Sequence, residues 1–311
     1  MVWFALLHVF APAVVGLLIA LVLRGIASWR GRAVATPRRA ATASLVGAGA
    51  VIVLVLGVAV VLQLPFAFEW LSGGDAHDLR QIVIFVTPLA AGIVGTLLLI
   101  VLRPRTRGAG GVAELSPRTI ASFTRPAWWV ALGAITAAIV VVTVLTGLAS
   151  SPSAEGRYTD YTVDLGTASI GTTIYGWYYS APSLVALVAL GAVLIAGLSL
   201  IARPPLAVHR DEDIAVRRSL SRETVLAAVG ALLLHLGEIF GSLAGAASIR
   251  GSFPAAGGSL EAGSPIAGFG PFFSVSAFVL ASAGFALLFG LLLLALRIPA
   301  RRVEALAQGA R

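Results

Sequence analysis

The stretch IVIFVTPLAAGIVGTLLLIVLRPR, residues 82–105, decides the fold class of this chain. It opens with 21 uncharged, mostly apolar residues and closes on two arginines, Arg103 and Arg105. About 20 apolar residues in a helix cross a hydrocarbon core roughly 30 Å thick, where a helix satisfies its own backbone hydrogen bonds. A membrane barrel would instead show alternating segments of about 10 residues. The stretch therefore predicts a transmembrane helix.

The same pattern occurs seven times, which predicts an all-α membrane protein with a bundle of seven transmembrane helices in one integral membrane domain, residues 1–311. Only 12% of the residues are charged and the mean hydropathy is +0.96, whereas soluble domains carry about 25% charge. The predicted spans are Trp3–Leu23, Ala43–Leu64, Ile82–Leu102, Trp128–Ala149, Ala181–Ala202, Val225–Ala246 and Phe272–Leu296.

The distribution of arginine predicts the orientation of this bundle. Nineteen of the 22 basic residues, all arginine, follow the first, third, fifth and seventh spans, and only Arg80, Arg157 and Arg250 fall on the other side. Basic loops stay in the cytoplasm, so we expect the N-terminus outside and a short basic tail, residues 297–311, inside. These loops suit anionic lipid headgroups, and they lack the patterns of nucleic-acid binding.

All five tyrosines lie in GRYTDYTVDLGTASIGTTIYGWYYS, residues 156–180. Its two runs rich in Thr, Tyr, Val and Ile flank a turn-forming GTASIG, which predicts a small external β-hairpin cap over residues 150–180, between helices 4 and 5. Its rings either anchor the end of the fifth helix at the membrane surface or form an external platform for a ligand or partner. The candidate platform residues are Tyr158, Asp160, Tyr161, Asp164, Tyr175, Trp177, Tyr178 and Tyr179.

The other long external segment, residues 248–271, is rich in Gly, Ser and Pro. This composition predicts a flexible connector or lid.

Three ionisable residues fall within predicted spans: His8, His235 and Glu238. Charges at bilayer depth cost roughly 2.5–3.5 kcal/mol on insertion scales, so they mark candidate functional sites. The spacing of His235 and Glu238 places them on one helix face, which Ser242 continues. Three interpretations stand: hydrogen bonds that hold the bundle together, a proton or cation relay, and a hydrolytic or metal site, for which the ligands are too few.

Small residues in the sixth span recur at four-residue spacing, at Gly237, Gly241 and Gly245. Such spacing lets two membrane helices approach closely, so these glycines are candidates for helix packing.

The sequence lacks the residues that several kinds of functional site require. The chain has no cysteine and no lysine, which excludes disulfides, thiolate metal ligands and lysine Schiff bases. It has no G-x-x-x-x-G-K-[ST] loop for ATP and no convincing Ser-His-Asp order. We therefore expect neither a metal nor a cofactor.

The segments ASSPSAEGRYTDYTVDLG, GTTIYGWYYSAP and IARPPL, at residues 149–166, 171–182 and 201–206, resemble uncharacterised multi-span membrane proteins of actinobacteria. The resemblance implies an accessory multi-pass protein of the bacterial plasma membrane, with ABC transporter subunits or another membrane protein as its partner, and it assigns no activity. Seven spans with an external N-terminus are also similar in topology to rhodopsins and receptors, but the retinal lysine is missing.

These observations favour a non-enzymatic accessory or permease-like component of a transport or export system. One alternative is a membrane sensor or signalling subunit that binds a ligand through the external tyrosine-rich cap. A second alternative is an intramembrane enzyme that uses His235 and Glu238. A water-accessible path to Glu238 favours transport, and a pocket in the cap without such a path favours sensing.

Overall fold

A computed structural model describes residues 2–29, 38–64, 74–103, 120, 122–164, 169–203, 210–255 and 258–296. Within these residues, seven helices are long and apolar enough to cross a membrane, which confirms the predicted membrane class. The predicted tail, residues 297–311, lies outside the described residues. The helices are α1 Val2–Trp29, α2 Arg38–Val61, α3 Gly74–Val101, α4 Pro126–Ala149, α5 Trp177–Ala202, α6 Arg210–Ala247 and α7 Gly270–Ala295.

Helix α6 differs most from its prediction, because it begins at Arg210 and not at Val225. Its 38 residues make a rod about 57 Å long, well beyond a hydrocarbon core of roughly 30 Å. The additional turns are polar, and side-chain pairs four residues apart support them: Arg217 with Asp213, and Ser219 with Glu223. Hydropathy alone misses this segment, because its stabilising contacts are polar.

Helix α6 is also the centre of the bundle. In its apolar segment 78% of the residues are buried, against 17% in α1 and 22% in α4, so those two helices lie at the periphery. Small residues bring the neighbouring helices close: Gly230 faces Gly284 of α7, and Ala231 faces Gly92 of α3. Lipid supplies no hydrophobic drive between helices, so such close backbone contacts carry much of their association.

The predicted cap contains a three-stranded antiparallel sheet in the order β1-β2-β3, with β1 Ser151–Pro152, β2 Tyr158–Asp164 and β3 Ser169–Thr173. The pairing of Asp160 with Thr173 and of Asp164 with Ser169 sets its register. The residues after Thr173 leave the sheet, and α5 begins at Trp177, four residues earlier than predicted. Gly176 makes this change of direction possible, because a Cβ there would collide with the carbonyl oxygen of Tyr158.

The segment predicted to be a flexible connector forms a second hairpin instead, with strands β4 Arg250–Ala255 and β5 Gly258–Gly263. Its register pairs Ala255 with Gly258, so two residues lie between the paired ends, the length of the commonest hairpin loops. Three of the glycines that indicated flexibility, Gly251, Gly258 and Gly263, are therefore paired within strands. A short 3-10 helix, Ala267–Phe269, then leads into α7.

Both sheets lie at the same end of the bundle, which we call the cap end. Tyr161 and Thr172 of the first sheet line a small space together with Ala246, Ile249 and Ser264. These last residues lie at the end of α6 and on either side of the second hairpin.

A matched pair of glycines in α2 tests the helix packing. A Cβ at Gly47 would lie 2.9 Å from the carbonyl oxygen of Gly95 in α3, whereas a Cβ at Gly57 would have nothing within 4 Å. We expect Gly47→Ala to lower the free energy of unfolding in mixed micelles by about 1–2 kcal/mol, since overpacking forces the helices apart. Gly57→Ala should leave it unchanged or raise it slightly. Equal effects of the two substitutions would contradict the close contact between α2 and α3.

Candidate functional site

Two clefts meet at Glu238 of α6 and Ile84 of α3. The first, the cap cleft, has a volume of about 330 Å³ and is lined by α3, α5, α6 and strand β3. The second, the side cleft, has a volume of about 140 Å³ and is lined by α2, α3 and α6. Glu238 lines both clefts, and the residue is exposed.

Glu238 lies deep within the bundle as measured along α6. It comes nine residues before the end of the helix at Ala247, which is about 14 Å at 1.5 Å per residue. Strand β3 contributes Thr172 and Thr173 to the wall of the cap cleft. The cleft therefore reaches from the β-sheet cap down to a carboxylate near the middle of an apolar segment.

The wall of the cap cleft combines small residues with hydrogen-bonding groups. A Cβ added at Gly241 or Gly245 would have no atom within 4 Å, so both glycines face open space. The hydrogen-bonding side chains that line this cleft are Gln81, Thr172, Thr173, Tyr179, Glu238 and Ser242.

His235 lies next to this site but is packed in the core, with 1% of its surface exposed. Its Nδ1 lies 2.8 Å from the carbonyl oxygen of Phe85 in α3. A carbonyl only accepts, so Nδ1 donates this hydrogen bond. The Tyr175 ring meets the imidazole edge to face, with centroids 6.2 Å apart. Nε2 is buried and has no hydrogen-bond partner within the described part of the chain.

Pro88 changes the backbone of α3 at the level of Glu238. It lies inside the helix, where a proline has no N–H to donate to the carbonyl four residues earlier. That carbonyl belongs to Ile84, which lines both clefts. In an apolar segment such an acceptor needs another donor, and both Ile84 and Pro88 line the side cleft together with Glu238.

Arg80 of α3 brings a positive charge into the side cleft. Its Nε is buried and has no hydrogen-bond partner among the described residues. Gln63 and Thr87 line the same cleft, although Thr87 donates its hydroxyl hydrogen to the carbonyl oxygen of Val83 at 2.6 Å. The side cleft therefore holds one acidic and one basic side chain.

An ion-pair cluster at the cap end joins the cap to α3 and α5. Asp78 accepts a hydrogen bond of 2.6 Å from the Tyr179 hydroxyl and one of 2.5 Å from Nη1 of Arg157. The Arg157 guanidinium also lies 5.2 Å from the centre of the Tyr178 ring, a cation–π contact. We call Asp78, Arg157, Tyr178 and Tyr179 the cap anchor.

The candidate platform residues do not share one surface. Tyr175 and Tyr179 are buried in the core with 0% and 1% exposure, whereas Tyr158 and Trp177 are exposed at 49% and 38%. Burial raises the pKa of the Tyr175 phenol above its ordinary value. Tyr161 is half-buried in β2 and lines only the small space beside Ala246.

The remaining platform residues are on the cap and its anchor. Asp160 accepts a hydrogen bond of 2.9 Å from the Thr159 hydroxyl, and Asp164 is exposed at the end of β2. Tyr178 is half-buried under Arg157.

The predicted intramembrane cluster is brought together in part. Glu238 and Ser242 line one cleft, while His235 points to α3. His8 lies in α1, and its side chain is outside the described part of the structure. Gly237 packs closely on α7, where an added Cβ would be 3.3 Å from the carbonyl oxygen of Ala277. Gly241 and Gly245 face the cap cleft and not a helix.

Two buried polar groups at the other end of α6 escaped the sequence analysis. Glu223 is 1% exposed and accepts hydrogen bonds from Ser44 of α2 at 2.5 Å and from Ser219 at 2.6 Å. Arg217 is 0% exposed and donates to Asp213 at 2.6 Å. The spacing of these residues by four along α6 was the available signal, but they precede the apolar span on which the prediction rested.

Asp78 and Arg80 of the candidate site were also missed. They precede the predicted third span, and only tertiary contacts bring Asp78 to the cap and Arg80 to Glu238. Within the residues that the structure describes, no group of three His, Asp or Glu side chains could hold a metal ion.

Compared with models of protein families, with curated proteins and with solved structures, the chain has no match.

Proposed function

We propose that this multi-pass membrane protein is a non-enzymatic component of a transport or export system. The observation that carries the proposal is the cap cleft, which runs from strand β3 to Glu238 deep in the bundle. A carboxylate at that depth is costly unless water or a ligand reaches it. Polar groups along the cap cleft offer water a path to Glu238. Such a path favours a role in transport over a role in sensing.

The proposal includes a location and an orientation. The arginine distribution favours the N-terminus and the cap end outside, so the cap cleft opens to the exterior, and the resemblance implies the plasma membrane of a bacterium. The resemblance noted from the sequence adds an ABC transporter subunit as partner. The chain itself carries no nucleotide-binding loop, so energy from ATP would come from that partner.

The alternatives have weaker support. A sensor that binds its ligand through stacked tyrosines has fewer rings available, because Tyr175 is buried and the Tyr179 hydroxyl is bonded to Asp78. An enzyme that uses His235 and Glu238 together would need both groups to face one substrate. His235 is instead hydrogen-bonded to the Phe85 carbonyl and lines neither of the two clefts.

The absence of cysteine allows a direct test, because a single introduced cysteine is the only thiol in the chain. We expect Gly241→Cys, in cells, to react at least about ten times faster than Gly133→Cys with a charged, membrane-impermeant thiol reagent. Thiols react as thiolates, which form in water and not in lipid.

Gly133 of α4 is a matched control, because it is also exposed with open space around its Cα, and it does not line either cleft. Equal rates at the two positions would mean that no aqueous path reaches the cleft, and the transport proposal would be abandoned. Reaction at Gly241→Cys only after the membrane is opened would reverse the proposed orientation.

A further inference from the structure

The side cleft contains two opposite charges that do not neutralise each other. Arg80 and Glu238 both line it, yet within the described residues no ion pair joins them and neither has a hydrogen-bond partner for its charged group. The Nε atom of Arg80 is buried without a partner. A direct ion pair would be the ordinary arrangement for two opposite charges that line one cleft.

Two opposite charges that share a cleft act on any ligand that enters it. The apolar side chains around them make their field stronger than it would be in bulk water. When a cation and a carboxylate line one cleft without contact, a group that contacts both completes the arrangement. Such a group must present a positive end to Glu238 and a negative end to Arg80.

Other residues of the side cleft also suit a ligand with one positive and one negative end. Ile84, whose carbonyl has no helical donor at Pro88, lines both clefts together with Glu238. An ammonium group carries three donors, and the Glu238 carboxylate offers two acceptor oxygens for them. Gln63 lines the cleft as well and has an amide that can donate to an anionic oxygen.

Ligands with one charge fit less well. Glu238 would attract a simple organic cation, but Arg80 in the same cleft would repel it. Arg80 would attract a simple anion, and Glu238 would repel it. A zwitterion gains from both side chains. The side cleft, with a volume of about 140 Å³, suits a small headgroup, and the cap cleft on the other side of Glu238 has further room for a substituent.

We propose that the two clefts form a binding site for a small zwitterion, with its ammonium group at Glu238 and its carboxylate or phosphate at Arg80. The inference rests on the proposed transport function, because it names the ligand class of the same site. Two sources share this chemistry: a free α-amino acid and the headgroup of phosphatidylethanolamine.

Three ligands of similar shape and different charge separate these possibilities, and the experiment needs no variant of the protein. The protein is placed in nanodiscs of phosphatidylglycerol and titrated with leucine, with 3-methylbutylamine and with 4-methylpentanoate, which lack the carboxylate and the ammonium group of leucine respectively. If the free amino acid is the ligand, leucine binds at least about ten times more tightly than either analogue, as calorimetry would measure. If the lipid is the ligand, none of the three binds tightly, and phosphatidylethanolamine in the disc raises the melting temperature.

Charge-neutral variants then assign the ends of the ligand. Arg80→Gln and Glu238→Gln should each weaken the favoured zwitterion at least about tenfold. The controls Arg125→Gln and Glu155→Gln remove an exposed charge of the same kind away from both clefts, and they should leave binding unchanged. The titrations of the unaltered protein with the three ligands stand even if a variant fails to fold.

Some outcomes overturn the inference and keep the transport proposal. If 3-methylbutylamine binds as tightly as leucine and Arg80→Gln has no effect, the site takes cations and not zwitterions. Absence of binding by leucine together with absence of stabilisation by phosphatidylethanolamine also overturns it. In either case fast reaction of Gly241→Cys would still support an aqueous path, so the two proposals fail separately.

Discussion

Replacing Asp213 by alanine is expected to lower the free energy of unfolding by about 3–5 kcal/mol, because it removes the carboxylate that faces a buried guanidinium. Arg217 is 0% exposed, and its Nε donates to Asp213 at 2.6 Å. Its Nη1 also donates to the carbonyl oxygens of Ile201, at 2.9 Å, and Ala202. Arg217 thus satisfies the C-terminal carbonyls of α5 and joins that helix to α6.

Unfolding of this variant by SDS in mixed micelles, followed by tryptophan fluorescence, measures the loss. The double variant Asp213→Ala/Arg217→Met removes both charges and should recover part of it. Recovery stays incomplete, because the α5 carbonyls lose their donor. If the free energy of unfolding of Asp213→Ala lies within about 1 kcal/mol of that of the unaltered protein, water reaches Arg217. The pair of Asp213 and Arg217 then does not hold α5 to α6.

Replacing Asp78 by alanine should cost about 3 kcal/mol, since it removes two charge-assisted hydrogen bonds worth roughly 1.5–3 kcal/mol each. We take the lower figure for each, because the Arg157 side chain is 29% exposed and water partly replaces its bond. Tyr179 is 1% exposed, and in this variant its hydroxyl loses the Asp78 carboxylate as acceptor. The cap sheet should therefore loosen from α3 and α5.

Hydrogen exchange distinguishes a loosened cap from general unfolding. Amides of β2 and β3 should exchange faster in Asp78→Ala, while those of α6 keep their protection. The control Glu155→Ala removes an exposed carboxylate of the cap that bonds only to nearby Ser153 among the described residues, and it should change neither exchange nor stability. Unchanged exchange in β2 and β3 would mean that Asp78 does not secure the cap.

The cap anchor also bears on the clefts, because Tyr179 belongs to both. Its hydroxyl is bonded to Asp78, and the same residue lines the cap cleft together with Thr172 and Thr173 of β3. Contacts that hold the cap therefore also shape the space above Glu238. The fold and the candidate site depend on the same few polar groups.

The candidate site was predictable in part from single helices. Glu238 and Ser242 stood out because a carboxylate and a hydroxyl four residues apart in an apolar run share a face, and the structure places both at one cleft. Arg80 and Asp78 carried no such signal, because they lie in a polar segment before the predicted span. Their roles come from α3 starting at Gly74 and packing beside α6.

The amino-acid sequence by itself determined the membrane class, the seven helical spans and the presence of a β-hairpin between α4 and α5. Hydropathy and strand propensity act along a short stretch of chain, so the residues of that stretch are enough to read them. Tertiary structure alone decided that α6 is central, that Tyr175 and Tyr179 are core residues, and that Arg80 shares a cleft with Glu238. These facts depend on which helix faces meet, and that choice is made by contacts between residues far apart in the sequence.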